Sequence, residues 1–370
     1  MNKKINSMKK MPTMDLKKLI QQVLAGVPWQ TKLQPTLSVE HVPYVLHEPA
    51  ILSGYRLLHR PWKYYLFSLF QFHNETVNVW THLIGCFIIL HKMYGYVNEF
   101  TFNVDHVLTT LLLFGTTCIV GLFTSAMVHL LHSKSCYIHF VAFMTDYIGA
   151  TICSFGSGIS GIYGSSDEAF YHVMEPFYIT LLFVSSYLNF VNLCVAKLWY
   201  GHDPHNLNRK YMFIIGMGMQ ATINAAPFLP RYSDCFYDDQ CSIASLNYLT
   251  AIQIIFVLEA LAFAAHQPEK KWPGKFDIVG HGHQIFHVLI VINHVLQLDC
   301  MYNDHVSGII DHSKPNGMLV LVTMVTLYVA KGITLWYLTR QVPGCLRRVK
   351  RAVAKAEHEA ERLAHDSKKE

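Results

Sequence analysis

Eight long apolar segments constrain the fold of this chain more than any other feature. The 370 residues are 52% hydrophobic and only 15% charged, whereas a soluble domain carries about 25% charged residues. About 20 apolar residues in a helix cross the hydrocarbon core of a bilayer, where the backbone polar groups must pair with one another. We therefore predict an all-α integral membrane protein, a bundle of seven core transmembrane helices plus an eighth C-terminal span. The predicted spans are residues 77–97, 106–131, 138–162, 172–195, 211–230, 246–267, 278–299 and 316–338.

Lysine and arginine alternate between the two sides of this arrangement. The N-terminal region contains ten, and the tail from Arg340 onward contains nine. The connections predicted on the same side as these termini (132–137, 196–210 and 268–277) contain one, three and three. The opposite connections (98–105, 163–171, 231–245 and 300–315) together contain two. By the positive-inside rule both termini are cytoplasmic, which requires an even number of spans.

The same boundaries divide the chain into four regions. Residues 1–76 form a cytoplasmic N-terminal region, in which apolar residues at helical spacing between 16 and 24 predict a short amphipathic helix on the membrane surface. Residues 77–299 form the seven-helix core, residues 300–338 an outer loop and the eighth span, and residues 339–370 a basic cytoplasmic tail. The net charge of +5 is spread too thinly to indicate a nucleic-acid partner.

Five polar residues within the apolar segments form the candidate site. His283 and His287 are four residues apart near the start of the seventh span, and Ser125 and His129 have the same spacing near the end of the second. Residues at this spacing share one face of a helix. Asp146 lies near the start of the third span. With the predicted topology all five residues fall at one depth, close to the cytoplasmic side.

This residue set is typical of a catalytic zinc site. Three imidazoles and a water are a common catalytic zinc environment, so His129, His283 and His287 are the candidate metal ligands. Asp146 is a candidate proton acceptor or orienting group, and Ser125 is placed to hydrogen-bond the water or an oxyanion. The alternative for each histidine is a hydrogen bond between helices without any metal. A carboxylate in a membrane span favours a functional role, because an unpaired charge there is costly.

Several other polar residues leave two interpretations open. Glu75, Asn78 and His82 share a face at the start of the first span and could line the site or anchor the helix at the interface. His132 and His281 lie near the candidate ligands but out of phase with them, so we exclude both as ligands.

The cysteines and Lys331 have simpler interpretations. Lys331 in the eighth span is interpreted as a snorkelling side chain or a partner within the bundle. The cysteines inside apolar segments are interpreted as small core residues, whereas Cys235 and Cys241 are candidates for a loop disulfide.

Several stretches resemble one known family. Phe72-His73-Asn74-Glu75-Thr76-Val77-Asn78-Val79-Trp80-Thr81-His82-Leu83 is similar to the start of the first helix in the progestin and adipoQ receptor family. Ser125-x-x-x-His129, Asp146-Tyr147 and the segment from Pro273 through His287 match its other signatures. The eighth span and short loops resemble the membrane progestin receptor branch.

The resemblance implies a zinc ion held by His129, His283 and His287, with Asp146 and Ser125 beside it. It implies a multi-pass plasma-membrane receptor that binds a progestin steroid and signals rapidly through inhibitory heterotrimeric G proteins. It also implies kinship with zinc-dependent membrane hydrolases such as alkaline ceramidases. The alternative function is therefore an intramembrane lipid amidohydrolase acting on a sphingolipid, and the two functions do not exclude each other.

The topology is tested with an epitope tag at either terminus. Because both tails are predicted to be cytoplasmic, antibodies should reach each tag only after the cells are permeabilised. Labelling of either tag on intact cells would contradict the arrangement of eight spans.

Overall fold

Nine long helices make up most of the part of the chain that the structure describes. This computed structural model describes residues 33–100, 106–201, 207–237, 246–310 and 313–366. The long helices are α1 (Thr76–Glu99), α2 (His106–Leu131), α3 (Cys136–Gly164), α4 (Glu168–Tyr200), α5 (Leu207–Ala225), α6 (Asn247–Ala265), α7 (Gly282–Val306), α8 (Gly317–Thr339) and α9 (Val342–Asp366).

The fold confirms an all-α integral membrane protein. In the described ranges, seven helices, α2 to α8, are long and apolar enough to cross a membrane. Helix α1 coincides with the first predicted span and has 24 residues, but its buried face carries Asn78 and His82. These polar residues lower the mean hydropathy of the helix, and they point into the protein rather than toward lipid. The eighth predicted span is present as α8.

Helix α3 lies at the centre of the bundle. It packs against α2 and α4 along its length and also contacts α5, α7, α8 and α9. Glycines allow α2 and α3 to approach each other closely. A Cβ added at Gly121 would lie 3.0 Å from Cys153 Cβ and 3.1 Å from the Gly149 carbonyl oxygen. Small residues let helix backbones approach in membranes, where burial of apolar surface does not drive association.

Two predicted spans differ from the observed helices for local reasons. The segment 211–230 does not remain one helix, because α5 ends at Ala225 and a 3-10 turn that includes Pro227 leads into the short helix Leu229–Tyr237. The seventh span begins at Gly282 rather than at residue 278, since the preceding residues form turns and the Gly282 amide donates to the Glu269 carboxylate at 2.7 Å.

The described part of the N-terminal region packs over one end of the bundle. Its backbone is tied to the loop before α7, because Asp277 accepts hydrogen bonds from the Leu52 amide at 3.1 Å and the Ser53 hydroxyl at 2.6 Å. The predicted amphipathic helix between 16 and 24 lies outside the described residues. Cys235 is disulfide-bonded, and its predicted partner Cys241 also lies outside them.

Lys331 is a bundle partner rather than a snorkelling side chain. It is fully buried, and its Nζ donates to the hydroxyls of Thr151 on α3 and Ser186 on α4, each at 2.8 Å. These contacts hold α8 against α3 and α4. Helix α9 continues this packing, with buried Val342, Cys345 and Val349 directed at the same core.

Candidate metal centre

Three histidine side chains converge between α2 and α7. His283 Nε2 lies 3.2 Å from His287 Nε2 and 3.4 Å from His129 Nε2. Each ring offers one nitrogen, and all three nitrogens lie within 4.8 Å of one another. The helical spacing of the α7 pair and the closeness of α2 to α7 are enough to create this cluster.

The outer nitrogens of two of these rings have acceptors of their own. His129 Nδ1 lies 2.7 Å from the Glu75 carboxylate, and His287 Nδ1 lies 3.2 Å from the Asn78 carbonyl oxygen. Each Nδ1–H donates outward, which assigns the tautomer that leaves an Nε2 lone pair for the centre of the cluster. Metal-binding histidines typically use this pattern of outer acceptors. The residues therefore fit a metal ion at the three Nε2 atoms.

Glu75 connects the cluster to a buried polar network. Its carboxylate accepts from the Asn78 side-chain amide at 2.6 Å, in addition to His129, and lies 3.2 Å from His132 Nε2. Glu75 is only 3% exposed, so these partners compensate for the cost of burying its charge. The network continues from His132 to His139, at 3.1 Å between their Nδ1 atoms, and from His139 to Lys197 at 3.0 Å.

This network decides between interpretations that the sequence left open. Glu75 lines the site rather than anchoring the interface, and His82 does too, since its ring stacks on His287 with centroids 3.8 Å apart. His132 is outside the triad but contacts the carboxylate that orients His129. In the sequence, the spacing that puts Glu75, Asn78 and His82 on one helix face was the signal that they could line the site.

Arg56 fixes the end of α2 and was not identified from the sequence. Its buried guanidinium donates to the carbonyl oxygens of Leu130 at 2.5 Å and His129 at 2.7 Å, which have no partner within the helix. Burial lowers the pKa of Arg56 to about 10, so the group remains charged at neutral pH. A cation at a helix C-terminus is stabilising, and here it also holds the backbone of a triad residue.

Ser125 and Asp146 lie beside the triad, as the predicted depths require. Their side chains approach each other between α2 and α3, and the carboxylate is close enough to His129 to interact with it electrostatically. Ser125 is one helical turn before His129. The structure thus brings all five predicted residues together, while their chemical roles remain predictions.

Aromatic rings extend from the triad toward the outside of the bundle. Phe263 on α6 lies 6.2 Å from the His283 ring and 5.2 Å from Phe286. It stacks on Phe213 of α5 at 5.8 Å, and Phe213 meets Tyr147 of α3 at 5.7 Å. These distances are between ring centroids. We call Tyr147, Phe213, Phe263 and Phe286 the aromatic wall; all four are half-buried.

The fold and this centre define a class of protein, a multi-pass helical membrane protein with a cluster of histidines able to hold a metal. A family model described as haemolysin-III related matches residues 70–298. The chain is 34% identical to membrane progestin receptor beta of Mus musculus over 78% of this chain and 81% of the relative. It is 30% identical to membrane progestin receptor alpha-B of Danio rerio, over 74% and 77% respectively. It is also 30% identical to membrane progestin receptor alpha of Homo sapiens, over 75% and 80%.

The chain belongs to the haemolysin-III-related family, together with the membrane progestin receptors. The family resemblance found in the sequence motifs is confirmed. The match covers α1 through most of α7, which includes all five candidate site residues.

Metal content tests the centre directly. Replacing His283 and His287 together with Ala should abolish metal binding at the triad, because one imidazole remains. Glu75→Gln should weaken the affinity by about 10- to 100-fold, since a neutral amide orients His129 but does not increase its basicity. Metal-to-protein ratios of the purified variants are compared with His91→Ala, an exposed histidine on α1.

The control should retain the wild-type ratio. An undiminished ratio in the His283 and His287 double variant would overturn the assignment of these ligands.

Proposed function

We propose that this protein is a plasma-membrane receptor for progestin steroids. The observation that carries the proposal is the similarity to membrane progestin receptors over three-quarters of both chains. We further propose that regions 1–76 and 339–370 are cytoplasmic, as the distribution of lysine and arginine requires. The triad then lies near the cytoplasmic surface of the bilayer.

We propose that His129, His283 and His287 hold a zinc ion. When bound, zinc supplies a fixed positive charge and Lewis acidity next to Ser125 and Asp146. The acceptors at Glu75 and the Asn78 carbonyl support this role, because they orient two imidazoles with Nε2 toward the ion. Three protein ligands leave a further position for water or a ligand oxygen.

The aromatic wall provides a suitable surface for a steroid. A progestin is a rigid apolar ring system with ketone oxygens, so it requires an extended apolar surface and few polar partners. The four rings come from α3, α5, α6 and α7 and lead from the outer face to His283. Steroid dissolved in the bilayer can reach half-buried rings on α5 and α6 without passing through water.

Contacts between helices provide a route by which a change in packing at the aromatic wall can reach the cytoplasmic side. A ligand wedged against the aromatic wall alters the packing of α5 and α6 on α3 and α7. The triad and Glu75 couple α7 to α1 and α2, and Arg56 couples the end of α2 to the N-terminal region. A partner that contacts this surface, such as an inhibitory heterotrimeric G protein, would sense the rearrangement.

Steroid binding is tested with purified protein in lipid vesicles. Labelled progesterone should bind saturably and be displaced by progestins better than by other steroids. The double variant Phe213→Ala and Phe263→Ala should bind about tenfold more weakly or worse, because it removes a large part of the apolar contact area. Phe177→Ala on α4 is the matched control, since this ring is 68% exposed and lies outside the wall.

The control variant should bind as the wild type does. Absence of saturable binding to wild-type protein that contains its metal would overturn the receptor proposal. If the double variant binds progesterone as tightly as the wild type, the aromatic wall is not the steroid-binding surface.

The pair Ser125 and Asp146 favours a second function, hydrolysis of a lipid amide such as ceramide. Water adds to the amide carbonyl carbon, and Asp146 accepts the proton that the water loses. Asp146 then returns this proton to the nitrogen as the carbon–nitrogen bond breaks, which yields a fatty acid and an amine. Ser125 lies beside this carboxylate on α2.

Turnover of ceramide by the purified protein tests this second function. Asp146→Asn should lower the rate by about 100-fold or more, because the amide cannot accept the proton. Asp299→Asn is the control, since this carboxylate pairs with Lys92 farther along α7. Rates that are equal in wild type and Asp146→Asn would exclude the proposed base.

A further inference from the structure

A second cluster of metal-binding side chains lies deeper in the bundle. Cys118 on α2, Cys153 on α3 and His294 on α7 bring two sulfurs and an imidazole nitrogen within 4.8 Å of one another. Cys153 Sγ lies 2.7 Å from His294 Nε2. Both cysteines are buried and are free thiols. None of these three residues takes part in the histidine triad.

Close packing of α2 on α3 brings the two thiols together. Cys153 Sγ is 3.6 Å from the position that a Cβ at Gly121 would occupy, and Gly121 is one turn after Cys118. A larger residue at Gly121 would separate the helices at the level of the thiols.

The second cluster is distinct from the triad but uses two of the same helices. His294 follows His287 by seven residues on α7, which is about 10 Å along a helix. Cys118 precedes His129 by eleven residues on α2. The second cluster thus lies near the middle of α2, α3 and α7, away from their ends.

We propose that Cys118, Cys153 and His294 form a second zinc site. Binding replaces the two thiol protons, which leave as the zinc–sulfur bonds form. Two thiolates and a neutral imidazole are a common zinc ligand set, and one water completes four-coordination. The two negative charges balance Zn²⁺, so the assembled site has no net charge. Neutrality matters here, because an uncompensated charge in the apolar interior is costly.

The site cross-links three helices that carry the functional centre. Helices α2, α3 and α7 supply all five of the residues Ser125, His129, Asp146, His283 and His287. A zinc ion bound to one side chain from each helix fixes the positions of the three helices relative to one another near the middle of the bundle. Apolar packing at this depth is less directional than a metal–ligand bond. Its role is to stabilise the bundle that orients the triad.

Cobalt substitution distinguishes the two sites in the intact protein. Co²⁺ bound to thiolates gives an intense near-ultraviolet charge-transfer band, which a site made only of histidines lacks. The cobalt-loaded wild type should show this band, and so should the His283→Ala and His287→Ala double variant. Cys118→Ser together with Cys153→Ser should abolish it. Cys194→Ser together with Cys345→Ser is the matched control, because these cysteines are equally buried but lie elsewhere.

Zinc content and thiol reactivity complete the test, and the thiol reactivity of the wild type does not depend on how a variant folds. The zinc-loaded protein should hold one zinc more than Cys118→Ser/Cys153→Ser, and chelation should speed alkylation of both thiols by a membrane-permeable maleimide. The triad variants can lose the zinc of the triad while the second site keeps its own zinc. Either proposal can therefore fail without the other. Absence of the cobalt band from the wild type, or a Cys118–Cys153 disulfide in its mass spectrum, would overturn the proposal.

Discussion

The absence of water in the interior of a bilayer is the constraint on which this structure depends. Backbone polar groups that cannot bond to water must bond within their own helix, so each long apolar segment becomes a helix. The same constraint applies to every polar side chain that faces inward. Lys331 illustrates it, since its buried amino group lies between hydroxyls on α3 and α4. Polar residues in this fold therefore mark contacts between helices.

The largest group of such contacts surrounds Glu75. One carboxylate accepts from Asn78 and His129 and lies next to His132, so it connects the start of α1 to the end of α2. The orientation of the His129 ring depends on this carboxylate, and its backbone depends on Arg56. Two residues outside the triad thus determine the position and orientation of a candidate metal ligand. The triad and this supporting network lie at the same end of the bundle.

The proposed receptor and hydrolase functions depend on neighbouring groups of residues. A centre that binds zinc beside Ser125 and Asp146 is suited to catalysis, whereas the aromatic wall is suited to holding a rigid apolar molecule. The aromatic wall includes Tyr147 on α3, next to Asp146, and Phe286 on α7, next to His287, so an occupant of the wall would contact two of the three helices that carry the site residues. This arrangement would let one fold serve both proposed functions.

The sequence by itself determined the membrane class, the helix positions to within a few residues and the five residues of the candidate site. It could do so because hydropathy, charge asymmetry and a spacing of four residues are local properties of the chain. The ends of α5 and α7 were less predictable, since Pro227 and the turns before Gly282 interrupt otherwise apolar segments. Only the tertiary structure decided that Glu75 and Arg56 support His129 and that Cys118 meets Cys153 and His294. These contacts join residues far apart in the chain, and their existence depends on how closely the helices pack.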